Sequence, residues 1–139
     1  MIQGFVTGPH QGVPGGGPEV KASGGSTGGG LTVIEIVVDG QGPPRHTHTR
    51  EDESIYVLTG TLDVECGENR FEAGPGSFVF LPRNLPHTFR AIDQAATGLL
   101  IVTPGGLDRY FAELRAVLTS GGERSQIARV QAKYGIVRS

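Results

Sequence analysis

Residues 40–60 read GQGPPRHTHTREDESIYVLTG. His46 and His48 stand at i and i+2, a spacing that on a strand puts both side chains on one side of the sheet. Glu53 follows five residues after His48. It can return to that side if the chain bends, or opens a new strand, between them. A second stretch, GSFVFLPRNLPHTF at 76–89, supplies His87 as a distant fourth ligand. Three imidazoles and one carboxylate suit a divalent transition metal. These residues point to metal chemistry on a small molecule inside a β fold.

Outward from this centre the chain reads as short strands. LTVIEIVV at 31–38 is a β-branched run of strand length. Gly40 to Pro44 breaks it, and a new strand begins at His46. SIYVLTG ends at Gly60. In TLDVEC, Leu62, Val64 and Cys66 fall on one face and Asp63 and Glu65 on the other. GEN marks a hairpin, and RFEAG returns from it. SFVFLP and HTFRAI follow, split by PRNLP, and GLLIVTP is the last clear strand. Short strands punctuated by Gly and Pro predict an all-β sandwich or barrel.

The two ends differ from this body. Residues 1–30 form a Gly-rich segment with no periodicity, expected to be flexible or meandering. Its glycines lack the Gly-Lys-Ser/Thr ending of a phosphate loop. Val20 to Ala22 could still make a short edge strand. Residues 31–103 hold the strands. Residues 104–139 hold helical patterns: Leu107, Tyr110, Phe111, Leu114, Val117 and Leu118 recur at helical spacing. A weaker stripe of Ile127, Val130 and Tyr134 follows, with Gly135 placed as a C-terminal cap. Both helices are expected as covers on the β body, with a dimer contact as a further role.

At 139 residues the chain is expected to be one domain. A net charge of −2 shows no electrostatic footprint for nucleic acid. A single Cys excludes an intrachain disulfide framework and fits a reducing compartment. No apolar run has membrane-spanning length, and the first residues lack signal-peptide regions. The expectation is a soluble, cytoplasmic protein and, since two-fold dimers are the commonest oligomers, a homodimer.

The motifs resemble those of the cupin superfamily. The first, G-x5-H-x-H-x(3,4)-E-x6-G, is met by Gly40, His46, His48, Glu53 and Gly60. The second, G-x5-P-x-G-x2-H-x3-N, is met by Gly76, Pro82 and His87, with Asn84 in place of Gly and Ala91 in place of Asn. Neither departure touches a ligand; both bear on the turn and on support behind the site. The resemblance implies a double-stranded β-helix, or jelly-roll barrel. The order of segments into TPGGLDRYFAEL is similar to single-domain members related to quercetin dioxygenases. That implies a metal-dependent dioxygenase acting on an enolic or phenolic, flavonol- or polyketide-like substrate. Non-redox cyclase, dehydratase or isomerase chemistry, and ligand binding without turnover, remain open, because the fold hosts many functions.

Glu53 is both ligand and candidate general base, able to accept a substrate proton beside the metal. The cofactor is one divalent ion per chain, with Fe, Mn, Ni, Co, Cu and Zn all allowed by the donor set. Glu51 and Asp52 are expected to face solvent, and His10 to be a bystander. Alternation puts Ile55 and Val57 on the side of Glu53, and Phe89 on that of His87. Phe78 and Phe80 share a face and are read as core. These five residues are the candidate pocket walls. Cys66 is read as a small buried hydrophobe.

Overall fold

The computed structural model describes residues 2–139. Ten strands make two five-stranded antiparallel sheets facing each other. The strands are β1 (Val20–Ala22), β2 (Thr32–Val38), β3 (His46–His48), β4 (Asp52–Thr59), β5 (Leu62–Cys66), β6 (Asn69–Ala73), β7 (Phe78–Leu81), β8 (His87–Ala91), β9 (Ala96–Thr103) and β10 (Ile136–Arg138). One sheet runs β1-β2-β9-β4-β7 and the other β10-β3-β8-β5-β6. The chain passes repeatedly from sheet to sheet, so residues from distant parts of the sequence meet between them. This is the double-stranded β-helix, with helices α1 (Leu107–Thr119) and α2 (Arg124–Lys133) near its end.

The core lies between the inward faces, as period-2 alternation requires. Ile55 and Val57 of β4 are buried there, with Leu62 and Val64 of β5, Leu81 of β7 and Val102 of β9. Burying each of these large side chains contributes about 1.5–3 kcal/mol. Asp63 lies on the other face of β5 yet is also buried, covered by Arg70 and Arg90 at 2.7 and 2.9 Å. The Arg70 guanidinium holds its carboxyl below the usual range.

Each sheet takes an edge strand from outside 31–103. Val20–Ala22 does form a strand, β1, and pairs with β2. The preceding Gly-rich chain is tied to it: the Val13 amide donates to the Val20 carbonyl at 2.9 Å, and Val13 is buried. β10 was not foreseen. Three residues at the end of a helical pattern carry too little periodicity to read as a strand. Gly135 allows it: at φ +73° it closes α2, and a Cβ there would meet Thr49 Oγ1 at 2.6 Å. The chain turns there and lays Ile136–Arg138 antiparallel along His46–His48.

The motif departure at Asn84 is resolved by its backbone. Asn84 adopts φ +66°, the left-handed region that Asn tolerates better than most residues. Its amide donates to the His48 carbonyl at 2.8 Å, so the turn still anchors beside the ligand strand. Ala91 sits buried opposite Leu62.

α1 packs Leu107, Tyr110, Phe111 and Leu114 against the core. Asp108 anchors its start, accepting from the Gly24 amide at 3.0 Å and the Thr32 hydroxyl at 2.8 Å. α2 opens with a capping box between Glu123 and Gln126. No helix among the described residues is long and apolar enough to cross a membrane.

Candidate metal centre

β3 carries His46 and His48, and β8 opens with His87 directly opposite His46. Glu53 comes from β4 in the other sheet. The chain does begin a new strand after His48, and that strand faces β3 across the core. The four ligand atoms lie within 4.8 Å of one another. Glu53 Oε1 is 2.6 Å from His48 Nε2 and 3.3 Å from His87 Nε2. His46 Nε2 is 3.1 Å from His48 Nε2. Ligands about 2.1 Å from a common ion stand roughly 3–4 Å apart, so the cluster has the right size.

The polar bookkeeping argues the same way. His87 is 1% exposed and Glu53 4% exposed. Glu53 Oε1 and both ring nitrogens of His87 are buried without a hydrogen-bond partner. Such atoms are rare and costly unless something else satisfies them. A cation at the meeting point would satisfy Glu53 Oε1 and His87 Nε2, and the donor set fits one. His46 is oriented for it, since its Nδ1–H donates to the Pro44 carbonyl at 2.7 Å and Nε2 is turned inward.

Without metal the cluster holds charge by mutual support. For His48, burial disfavours the imidazolium, but Glu51 and Glu53 outweigh it and raise its pKa to about 9. For Glu53, burial pushes the carboxyl up, but His48 and His87 outweigh it and bring it to about 2. Burial lowers His46.

Glu51 corrects the sequence reading. It does not face solvent: it is 8% exposed, and its Oε1 lies 3.7 Å from His48 Nδ1. At that separation the carboxylate faces the imidazole by charge, and both atoms are buried without a hydrogen-bond partner. Inside the run REDE it looked like a solvated corner; the turn after β3 folds it under His48. Asp52 points the other way and accepts from Arg83 Nε at 3.2 Å and Nη2 at 3.1 Å.

A cavity of about 1460 Å³ opens from the ligands. His46, His48 and Glu53 reach its floor, Ile34, Phe89 and Leu100 form walls, and Tyr110 of α1 roofs it. Thus α1 lines the cavity as well as packing on the barrel. Of the five candidate wall residues, Phe89 lines the cavity. Ile55 and Val57 are fully buried in the core. Phe78 and Phe80 are not core: they are 62% and 51% exposed. Val79 and Leu81 are the inward residues of β7, opposite Ile55 and Glu53, so the phenylalanines fall on the outer face. The alternation keeps its phase across PRNLP, since Val79 and Leu81 of β7 and His87 and Phe89 of β8 are all odd-numbered and inward.

Tyr110 and Arg138 also line the cavity and were not foreseen as site residues. Tyr110 was legible only as part of the helical stripe. Arg138 depended on β10.

The fold is shared with known structures. KdgF from Halomonas sp. superposes with a TM-score of 0.57 over 65% of this chain and 79% of that one, at 21% identity. TT1209 from Thermus thermophilus gives 0.51 over 55% and 74%, at 27% identity. The chain is 26% identical to quercetin 2,3-dioxygenase of Bacillus subtilis (strain 168) over 84 residues. That match covers 57% of this chain and 25% of the dioxygenase, so the chain spans about a quarter of that relative's length. Residues 33–103, more than half of the chain, match the family model described as the cupin domain and contain all four clustered ligands. With the two-sheet barrel and its inward His, His, Glu, His set, that match establishes the chain as a member of the cupin family.

Proposed function

We propose that the protein is a metal-dependent enzyme, holding one divalent transition ion per chain, that acts on a small enolic or phenolic molecule by dioxygenase-type chemistry. The observation that carries this reading is the set of buried, unsatisfied donor atoms from both sheets at the floor of a large cavity. When bound, the ion would act as a Lewis acid and lower the pKa of a hydroxyl it holds. His46, His48, His87 and Glu53 would hold it, with Glu51 close behind His48. Glu53 stays ionised near neutral pH and accepts the substrate's hydroxyl proton. Phe89, Ile34 and Leu100 exclude water and suit a planar apolar ring. The likeness to quercetin 2,3-dioxygenase supports dioxygen as co-substrate.

The test is oxygen uptake by protein reconstituted with each candidate metal, using enolic and phenolic compounds under air and nitrogen. Uptake matched to substrate loss supports the reading. Equal turnover under nitrogen would replace it with cyclase, dehydratase or isomerase chemistry, in which Glu53 moves a proton without redox change. Tight binding without turnover would leave a ligand-binding protein.

A homodimer belongs to the same proposal, on a different surface from the helices. The helices pack Phe111, Leu114, Val130 and Tyr134 partly buried against the core, although Leu118 stays exposed. The surplus lies on the outer face of the β4–β7 edge, where Tyr56 pairs with Phe78 and Phe80 stands beside them, all exposed. β7 is an edge strand with free backbone groups. In a two-fold dimer the same patch of each copy would meet its counterpart.

A further inference from the structure

β10 lays a cation, Arg138, alongside the strand that carries His46 and His48. Its register pairs Ile136 with His48 and Arg138 with His46. Directly opposed residues of an antiparallel pair project to the same face, with Cβ atoms about 4.5–5.5 Å apart. Ile136 is buried on the inward face beside His48, and Arg138, two residues on, falls on the same side beside His46 but is exposed to solvent. Both line the cavity.

The strand is held at both ends. The Thr49 amide and hydroxyl donate to the Gly135 carbonyl at 3.0 and 2.6 Å. The Ser139 amide donates to the Arg45 carbonyl at 3.1 Å. The backbone of Arg138 is therefore positioned before any ligand arrives.

Several charges around the cavity are matched, whereas Asp39 has no ion pair among the described residues. Glu19 pairs with Arg115 at 2.6 Å and Glu35 with Lys21 at 3.1 Å, while Asp108 is engaged by Thr32 and Gly24. Arg138 has no side-chain hydrogen bond or ion pair among the described residues. Arg109 shares that property, but it sits on α1 and has no register with a ligand strand. Tyr110, buried in the roof, lines the same cavity as Glu53 and Arg138.

We infer that Arg138 is a specificity residue that binds the carboxylate of the substrate. The substrate would then be a small organic acid whose hydroxyl end reaches the metal and whose carboxylate reaches the guanidinium. This rests on the metal-dependent reading above and narrows its substrate class. A planar guanidinium receives a carboxylate through two parallel N–H donors, so the site selects charge and orientation together. A neutral phenol would fill the apolar walls but leave Arg138 solvated.

The experiment uses zinc-loaded full-length protein, because zinc binds without redox chemistry. Calorimetric titration compares 3,4-dihydroxybenzoate with catechol, which lacks only the carboxylate. The wild type is expected to bind the acid about tenfold tighter, the effect of one partly solvated charge-assisted pair. In Arg138→Gln the acid loses that tenfold and catechol stays within about twofold. Arg138→Lys keeps part of the preference, and Arg109→Gln keeps all of it. Zinc content and thermal midpoint stay at wild-type values in all three variants. A zinc-loaded wild type with no preference for the acid overturns the inference alone, as does equal weakening of both ligands by Arg138→Gln. A wild type that retains no zinc after dialysis overturns the metal reading and this inference with it.

Discussion

Glu53 Oε1 lies 2.6 Å from His48 Nε2, although the two side chains come from opposite sheets of the barrel. Only the intervening turn, Thr49–Glu51, separates them in sequence, with Asp52 opening β4. The contact therefore joins the two halves of the fold at the chemical centre. Each ligand is held by a strand rather than a loop, which limits how far the site can relax when one is removed.

His48→Ala and His87→Ala should each hold less than about a tenth of an equivalent of metal after reconstitution, against one equivalent in the wild type. His10→Ala should load normally, since His10 is exposed and lies outside the ligand cluster. Elemental analysis of protein purified without chelator decides it. An emptied site in His10→Ala would overturn the assignment of the ligands.

Glu53→Gln should suffer more in turnover than in metal content. The amide still offers an oxygen to an ion but cannot accept a proton. A general base contributes about 10²–10⁴-fold, so activity per bound metal should fall by that order. Asp52 should not rescue it, because its carboxylate is engaged by Arg83 on the outside. Unchanged activity per metal would remove the base role.

Glu51→Gln should weaken metal binding by about 10–100-fold without unfolding the barrel, the usual effect of losing the carboxylate behind a ligating histidine. The residue lies 3.7 Å from His48 Nδ1 and touches no other ligand in the cluster. Competition with a chromophoric chelator measures the affinity. Wild-type affinity in this variant would show Glu51 to be a bystander.

Phe78→Glu combined with Phe80→Glu should convert the protein from a dimer to a monomer of 14.6 kDa. Both rings are exposed, so the change should leave the core and the metal content intact. Light scattering at micromolar concentration reads the mass. A wild type that already scatters as a monomer would end the dimer proposal.

The chain by itself determined the strand succession, the family motifs and the four residues of the candidate metal cluster. These follow from local rules: β-branched runs, period-2 alternation and the i, i+2 spacing of His46 and His48 act within a few residues. Even the substitution at Asn84 was survivable on local grounds, because Asn reaches the left-handed backbone that the turn uses. Only the tertiary structure decided what surrounds that centre. Glu51 looked like a surface charge until the turn folded it beneath His48. Phe78 and Phe80 looked like core until the pairing of β7 with β4 put Val79 and Leu81 inward instead. Arg138 and Ile136 had no readable role until β10 paired with β3 across nearly ninety residues of chain. Which face a side chain takes is set by register. Register depends on partners brought together from distant sequence, and a one-residue slip reverses it.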